Sequence, residues 1–143
     1  MRGFSEEIQK SVISYMYIPK KERFIAVVDN IKEEIDGIMS ILSLWPNVKA
    51  VSVIQSDGEY PEIPMEADAI LLDENMEIIS GTEVAYKLTS SGYRGIIASI
   101  TSGNSPEFTK LHFDEKLLIL RDSDSAKSFV FFMNSILKEL DSN

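Results

Sequence analysis

The spacing of apolar positions changes several times along the chain. Between Ser5 and Ile18 the residues Ile8, Val12, Tyr15 and Met16 recur at helical spacing. Ser5 suits the N-cap, Glu6 and Glu7 suit the positive end of the helix dipole, and Pro19 with Lys20-Lys21-Glu22-Arg23 stops the helix. From Phe24 the pattern differs: Phe24-Ile25-Ala26-Val27-Val28 is an unbroken apolar run closed by Asp29, as expected of a strand buried on both faces. Ile31, Ile35, Ile38, Met39 and Leu42 then trace an amphipathic helix ending before Trp45-Pro46, and Val48 to Ile54 predicts a second strand. Gln55 to Glu66 holds Gly58, Pro61 and Pro64, which argues against a regular helix there. Ala69-Ile70-Leu71-Leu72 is a third strand that again ends in an aspartate, Asp73.

After a turn at Gly81, Thr82 to Ser91 reads as a helix with Val84, Ala85 and Leu88 inward and Gly92 as its stop. Gly95 to Ile100 predicts a fourth strand followed by Thr101-Ser102-Gly103, and Ser105-Pro106-Glu107 predicts the start of a short helix. Leu117 to Leu120 is the expected fifth strand. Ser123 to Leu140 closes the chain as a helix with Ala126, Val130, Met133, Ile136, Leu137 and Leu140 on one face, started by the Asp122-Ser123-Asp124-Ser125 cluster. Strands alternating with helices imply a doubly wound α/β fold, a five-stranded parallel sheet sandwiched by helices. Residues 1–22 stand ahead of it as an N-terminal helical extension, expected to pack on its own domain or else to serve a homodimer or partner contact.

Composition narrows the function classes. The chain has 143 residues, one domain's worth, with 14 basic and 23 acidic side chains and a net charge of -9. Such a charge is repelled by phosphate backbones and anionic lipid, so nucleic acid and membrane surfaces are poor partners. With no cysteine there is no disulfide, thiolate metal site or cysteine nucleophile, and the single His112 cannot build a multi-histidine site. His112 is expected at the surface, on or just past the fourth helix of the fold. No apolar run approaches the ~20 residues that cross a bilayer, and none resembles a signal peptide, so a cytoplasmic protein is expected.

In doubly wound sheets ligands bind beyond the carboxyl ends of the strands. The residues expected there are Asp29-Asn30, Asp73, Thr101-Ser102 and Arg121-Asp122. Two carboxylates supply hard oxygens for Mg²⁺, which takes one or two of them and keeps several waters. With the metal offsetting repulsion, a carboxylate can attack a phosphoryl donor, while a hydroxyl and a cation bind the phosphoryl oxygens.

Val27-Val28-Asp29-Asn30, Leu71-Leu72-Asp73-Glu74-Asn75-Met76, Ser80-Gly81-Thr82-Glu83-Val84 and Ile96-Ile97-Ala98-Ser99-Ile100-Thr101-Ser102 occur in the order found in receiver domains of two-component response regulators. The chain resembles that CheY-like, flavodoxin-like family over about Arg23 to Leu140, so residues 23–143 are expected to form the receiver-like domain. The resemblance implies Asp73 as phosphoacceptor, Asp29 and Asp73 as Mg²⁺ ligands with the carbonyl of Asn75, and Thr101 as the phosphate-sensing hydroxyl. Asn30 stands where the family has a second acid. It is a weaker metal ligand, or else the N-cap of the following helix in a capping box with Glu33. The family's lysine after the fifth strand is missing. Arg121 lies at the matching place after Leu120, a larger and forked cation that is no equivalent of lysine; Lys116 is an alternative, but it precedes the apolar run and is expected at the opposite end of the strand. The family's switch aromatic would fall near Leu118, and Glu77 stands where a proline is usual.

Two functions follow from the resemblance. One is a non-enzymatic phosphorelay receiver, phosphorylated on Asp73 by a histidine kinase or phosphotransfer protein, binding Mg²⁺ weakly and regulating a downstream protein. The alternative is a pseudo-receiver, an interaction module that signals without phosphorylation. A dehalogenase-type phosphatase needs an aspartate where Asn75 stands, and an FMN-binding flavodoxin needs a phosphate loop after the first strand that this chain lacks. A complete chain of this length is expected to act on another protein, whereas a piece of a longer regulator is expected to have an effector or kinase module beyond either end.

Overall fold

A computed structural model describes residues 4–55, 60–77 and 79–142. Its elements run α1 (Glu6–Ile13), β1 (Arg23–Asp29), α2 (Lys32–Leu42), β2 (Val48–Ile54), β3 (Ala69–Leu72), α3 (Gly81–Ser90), β4 (Ile96–Thr101), β5 (His112–Asp114), α4 (Lys116–Leu120) and α5 (Ser123–Asp141). All five strands are parallel, in the order β2-β1-β3-β4-β5. The order reverses between β1 and β3, which opens a crevice at their carboxyl ends.

Alternation along the strands explains the unbroken apolar runs. Ile25, Val27, Ala69, Leu71, Ala98 and Ile100 face one core with α2 and α5, while Ala26, Val28, Ile70 and Leu72 face a second with α3. Each fully buried leucine or isoleucine here is worth about 2 kcal/mol of transfer free energy. The first core also takes in Phe4, Val12 and Met16, so the N-terminal segment packs against α5 and the sheet. The segment is tied down polarly as well. Trp45 Nε1 donates to the Tyr17 carbonyl at 2.8 Å, Asn134 Oδ1 accepts from Tyr17 N at 2.8 Å, and Asp141 accepts from Tyr17 Oη at 2.6 Å. Arg23, on the first strand, reaches the same Asp141 at 2.9 Å.

Several helix ends are as the sequence implies. Ser5 and Ser80 cap α1 and α3 with their side chains, and Asp122 closes a capping box with Ser125 on α5. Gly92 follows α3 at φ +93°, a conformation that favours glycine. On α5, Phe129 is buried, Phe132 partly buried, and Phe131 exposed against Tyr15.

The carboxyl-terminal third departs from expectation. The fifth strand is His112–Asp114, and Leu117 to Leu120 belongs to α4, a short helix. Four consecutive apolar residues fit either element; Leu120 is 64% exposed, which no doubly buried strand would allow. β5 needs only Phe113 to be buried, because it is an edge strand paired with β4 alone. No helix forms between Thr101 and His112. Ser105 starts a turn instead, its Oγ donating to the Thr109 carbonyl at 2.8 Å. His112 therefore lies on β5, its ring between Ser99 Oγ at 3.1 Å and the Gly103 carbonyl at 2.8 Å. α1 ends at Ile13 rather than Ile18. Between β2 and β3 the described residues form no helix, as the prolines imply; Gly58 and its neighbours 56, 57 and 59 lie outside the described residues.

Candidate functional site: a buried carboxylate cluster

Asp29 is the last residue of β1, and Asp73 directly follows β3. Since β1 and β3 are neighbours in a parallel register, with Val28 opposite Leu72, both aspartates emerge at the same crevice. Both are almost completely buried, at 0% and 1% exposure. Two further carboxylates join them. Glu115 immediately follows β5, and Glu34 sits in the first turn of α2. One carboxylate oxygen from each of Asp29, Glu34, Asp73 and Glu115 lies within 4.8 Å of all the others.

Backbone amides hold one side of each aspartate. Asp29 Oδ1 accepts from the amides of Asn30 and Ile31 at 2.7 and 3.0 Å, at the start of α2. Asp73 Oδ1 accepts from Asn75 N at 3.1 Å. The loop after Asp73 is pinned to α3 through Glu74, whose carboxylate accepts from Thr82 N and Thr82 Oγ1 and whose carbonyl accepts from Gly81 N. Gly81 is required for this approach: a Cβ there would lie 2.3 Å from the Asp73 carbonyl oxygen. Other oxygens are left over. Asp29 Oδ2, Glu34 Oε2, Glu115 Oε2 and Asn30 Oδ1 are buried without a hydrogen-bond partner, while Glu115 Oε1 receives only the Ser102 hydroxyl at 3.4 Å.

This crowding is felt in the protonation equilibria. Burial, then the charge of Asp73 and to a lesser degree Glu34, pushes the Asp29 carboxyl from 3.8 up to about 9. Burial, followed by the charges of Asp73, Asp29 and Glu34, likewise pushes Glu115 from 4.5 up to about 9. Among the described residues the ion pairs are Arg23–Asp141 and Lys32–Asp36, so no lysine or arginine neutralises the cluster directly. Asp29 and Asp73 thus come together as expected, and Thr101, 2% exposed at the end of β4, donor-acceptor partner of Asn75 Nδ2 at 3.0 Å, sits on the same edge.

Two other candidates are placed differently. Asn30 does not cap α2: Ile31 occupies the cap position without a side-chain bond, and the amides of Asn30 and Ile31, ahead of the helix, donate to Asp29. Arg121 does not end a strand. It terminates α4 in the left-handed region at φ 49° and lines a cavity of about 110 Å³ with Glu33, Glu34, Gly37, Glu115 and Leu118. The residue that follows β5, where the family's lysine was sought, is Glu115. Sequence reasoning missed both glutamates. Glu34 was hidden among acidic first-turn residues, and Glu115 lay before the apolar run mistaken for the strand.

The donor set fits a divalent cation, because hard carboxylate oxygens converge and several have no other partner. No family model matches the chain, and no curated protein matches it. Among solved structures, the receiver domain of the histidine kinase CKI1 from Arabidopsis thaliana, complexed with Mg²⁺ and BeF₃⁻, is similar over 99% of this chain and 99% of its own. The TM-score is 0.56 and the identity 13%. A yeast Spc42 trimeric coiled coil fused to another structure is similar over 86% of this chain and 82% of its own, with a TM-score of 0.63 and 17% identity. These likenesses, together with the strand order, show a five-stranded parallel α/β sandwich of receiver topology. No helix among the described residues is long and apolar enough to cross a membrane.

Proposed function

We propose that the chain is a receiver-like signalling domain of the pseudo-receiver kind, which regulates a protein partner without forming an aspartyl phosphate. The observation that carries this reading is Glu115 at the end of β5, its carboxylate within 4.8 Å of Asp73. A phosphoryl group on Asp73 would bring further negative charge into a buried cluster that already holds four carboxylates. Like charges about 4 Å apart repel by about 4 kcal/mol at an effective dielectric of 20. A divalent cation held by Asp29 and Asp73, with Asn75 and Asn30 nearby, would offset two of the charges; Arg121 lines the cavity beside Glu34 and Glu115, and Lys116, two residues past β5, is exposed, and among the described residues neither forms an ion pair with the cluster.

The convergence of Asp29, Asp73 and Thr101 supports the second reading, a working phosphoacceptor served by a histidine kinase or phosphotransfer protein. Incubation with acetyl phosphate and Mg²⁺, followed by intact mass under acidic conditions, separates the two. The expected result is no adduct. A mass increase of one phosphoryl group that Asp73→Asn abolishes would overturn the proposal.

A further inference from the structure

We infer that the carboxylate cluster is a site for a large, calcium-type divalent cation, in which Glu34 and Glu115 are direct ligands beside Asp29 and Asp73. The inference concerns the same pocket as the pseudo-receiver reading but does not need it to be true. Donor number is the first argument. Mg²⁺ is held through one or two carboxylates and retains several waters, whereas Ca²⁺ takes six to eight oxygens at about 2.3–2.6 Å and accepts irregular geometry. Four carboxylates from four separate places in the fold converge here: the ends of β1, β3 and β5 and the first turn of α2. Their mutual separations stay within 4.8 Å, so all four can reach one ion of that radius.

Burial is the second argument. Asp29 and Glu115 are 0% and 6% exposed, yet Asp29 Oδ2 and Glu115 Oε2 have no hydrogen-bond partner. Buried polar atoms are nearly always satisfied, and orphaned ones call for an unseen partner. Carboxylate oxygens facing one another are satisfied by a shared proton or by a cation, and a cation serves all four at once. Mg²⁺ sheds water reluctantly, so a pocket that offers four protein carboxylates in place of water favours the larger ion. Oδ1 of each aspartate is fixed by backbone amides, which leaves Asp29 Oδ2 already oriented. Glu34 and Glu115 also line the cavity that contains Leu118 and Arg121. Ion binding would therefore draw α2 and the β5–α4 junction together and reshape that surface, a route by which occupancy could be read by a partner.

The test is calorimetric titration of the chelator-treated full chain with CaCl₂ and separately with MgCl₂, with thermal unfolding as a second readout. Ca²⁺ is expected to bind at least about tenfold more tightly than Mg²⁺ and to raise Tm. Glu115→Gln and Glu34→Gln should each weaken Ca²⁺ by about tenfold or more while circular dichroism remains that of the folded chain. Glu115→Asp, which keeps the charge but shortens the arm, should weaken Ca²⁺ less than Glu115→Gln. Mg²⁺ binding as tight as Ca²⁺, or Ca²⁺ affinity unchanged in both glutamine variants, would overturn the inference. A phosphoryl adduct on Asp73 would remove the pseudo-receiver reading and leave the cation preference to stand or fall on these titrations.

Discussion

Glu115→Gln should make the metal-free protein more stable, and increasingly so as pH rises. Facing Glu115 are Asp29 from β1, Asp73 after β3 and Glu34 from α2, and Arg121 lies across the adjoining cavity. In the fold the Glu115 carboxyl is pushed up to about 9, by burial first and the neighbouring carboxylates second. In the unfolded chain it returns to the ordinary glutamate range. Between those two values the folded state keeps a proton that the unfolded state releases, so raising the pH favours unfolding. A single group of this kind costs about 1.4 kcal/mol per pH unit in the ideal case. Sharing of protons with Asp29 reduces the part that Glu115 alone contributes to on the order of 1 kcal/mol per pH unit. Moving from about pH 5.5 to about pH 7.5 should then open a gap of about 2 kcal/mol between variant and parent, or roughly 6 °C in Tm for a domain of this size. The amide matches the carboxyl in volume and cannot ionise, so the pH-dependent penalty disappears without a cavity. The assay is thermal unfolding in chelator across that range. Parallel Tm profiles for the two proteins, or a variant less stable than the parent at the upper pH, would refute the placement of Glu115 in a buried carboxylate cluster.

Two other perturbations probe the frame around the site. Gly81→Ala puts a methyl 2.3 Å from the Asp73 carbonyl oxygen and 2.8 Å from Glu74 Cα, both backbone atoms; moving that backbone should cost about 1–3 kcal/mol, read by urea unfolding. Arg23→Met removes the partner that Asp141 meets at 2.9 Å and leaves that buried carboxylate with only Tyr17 and Lys20 N. Hydrogen bonds from Tyr17 and then Arg23 hold the Asp141 carboxyl down at about 2. The stability they supply is therefore present above the ordinary aspartate range and lost as pH falls toward 2. The variant should unfold at lower temperature near neutral pH and converge with the parent in strong acid; equal Tm values at neutral pH would count against a tether between β1 and α5.

The central strands were legible because burial on both faces leaves no polar position to interrupt them. Phe24 to Val28 and Ala69 to Leu72 read as strands, and each terminal aspartate emerges at the crevice that the strand order creates. Caps at Ser5 and Asp122 were legible for a local reason, since side-chain oxygens beside orphan amides need no tertiary information. β5 was not legible. Its three residues include one buried apolar side chain, Phe113, and its identity comes from pairing with β4, which sequence periodicity does not contain. That displacement, five residues at the start of the strand and six at its end, moved the strand-end position from Glu115 to Arg121 and reversed the sign of the charge assigned to the rim. Asn30 misled for a related reason: Asp29, not the residue after it, takes the amides at the start of α2.

The charge at one strand end has a physical consequence for the whole crevice. Backbone amides at the start of α2 offset part of the negative charge on Asp29, as helix N-termini do for anions. They reach neither Glu115 Oε2 nor Glu34 Oε2. With lysine in place of Glu115, the crevice would carry an internal counterion; Lys116, one residue on, is exposed. With Glu115 there, electroneutrality has to come from protons or from an added cation, and those two compete for the same oxygens. A fold that positions its acids through four different elements thereby couples ion occupancy to the spacing of α2, β5 and α4. The same geometry that disfavours a phosphoryl group thus makes the crevice suited to respond to a cation.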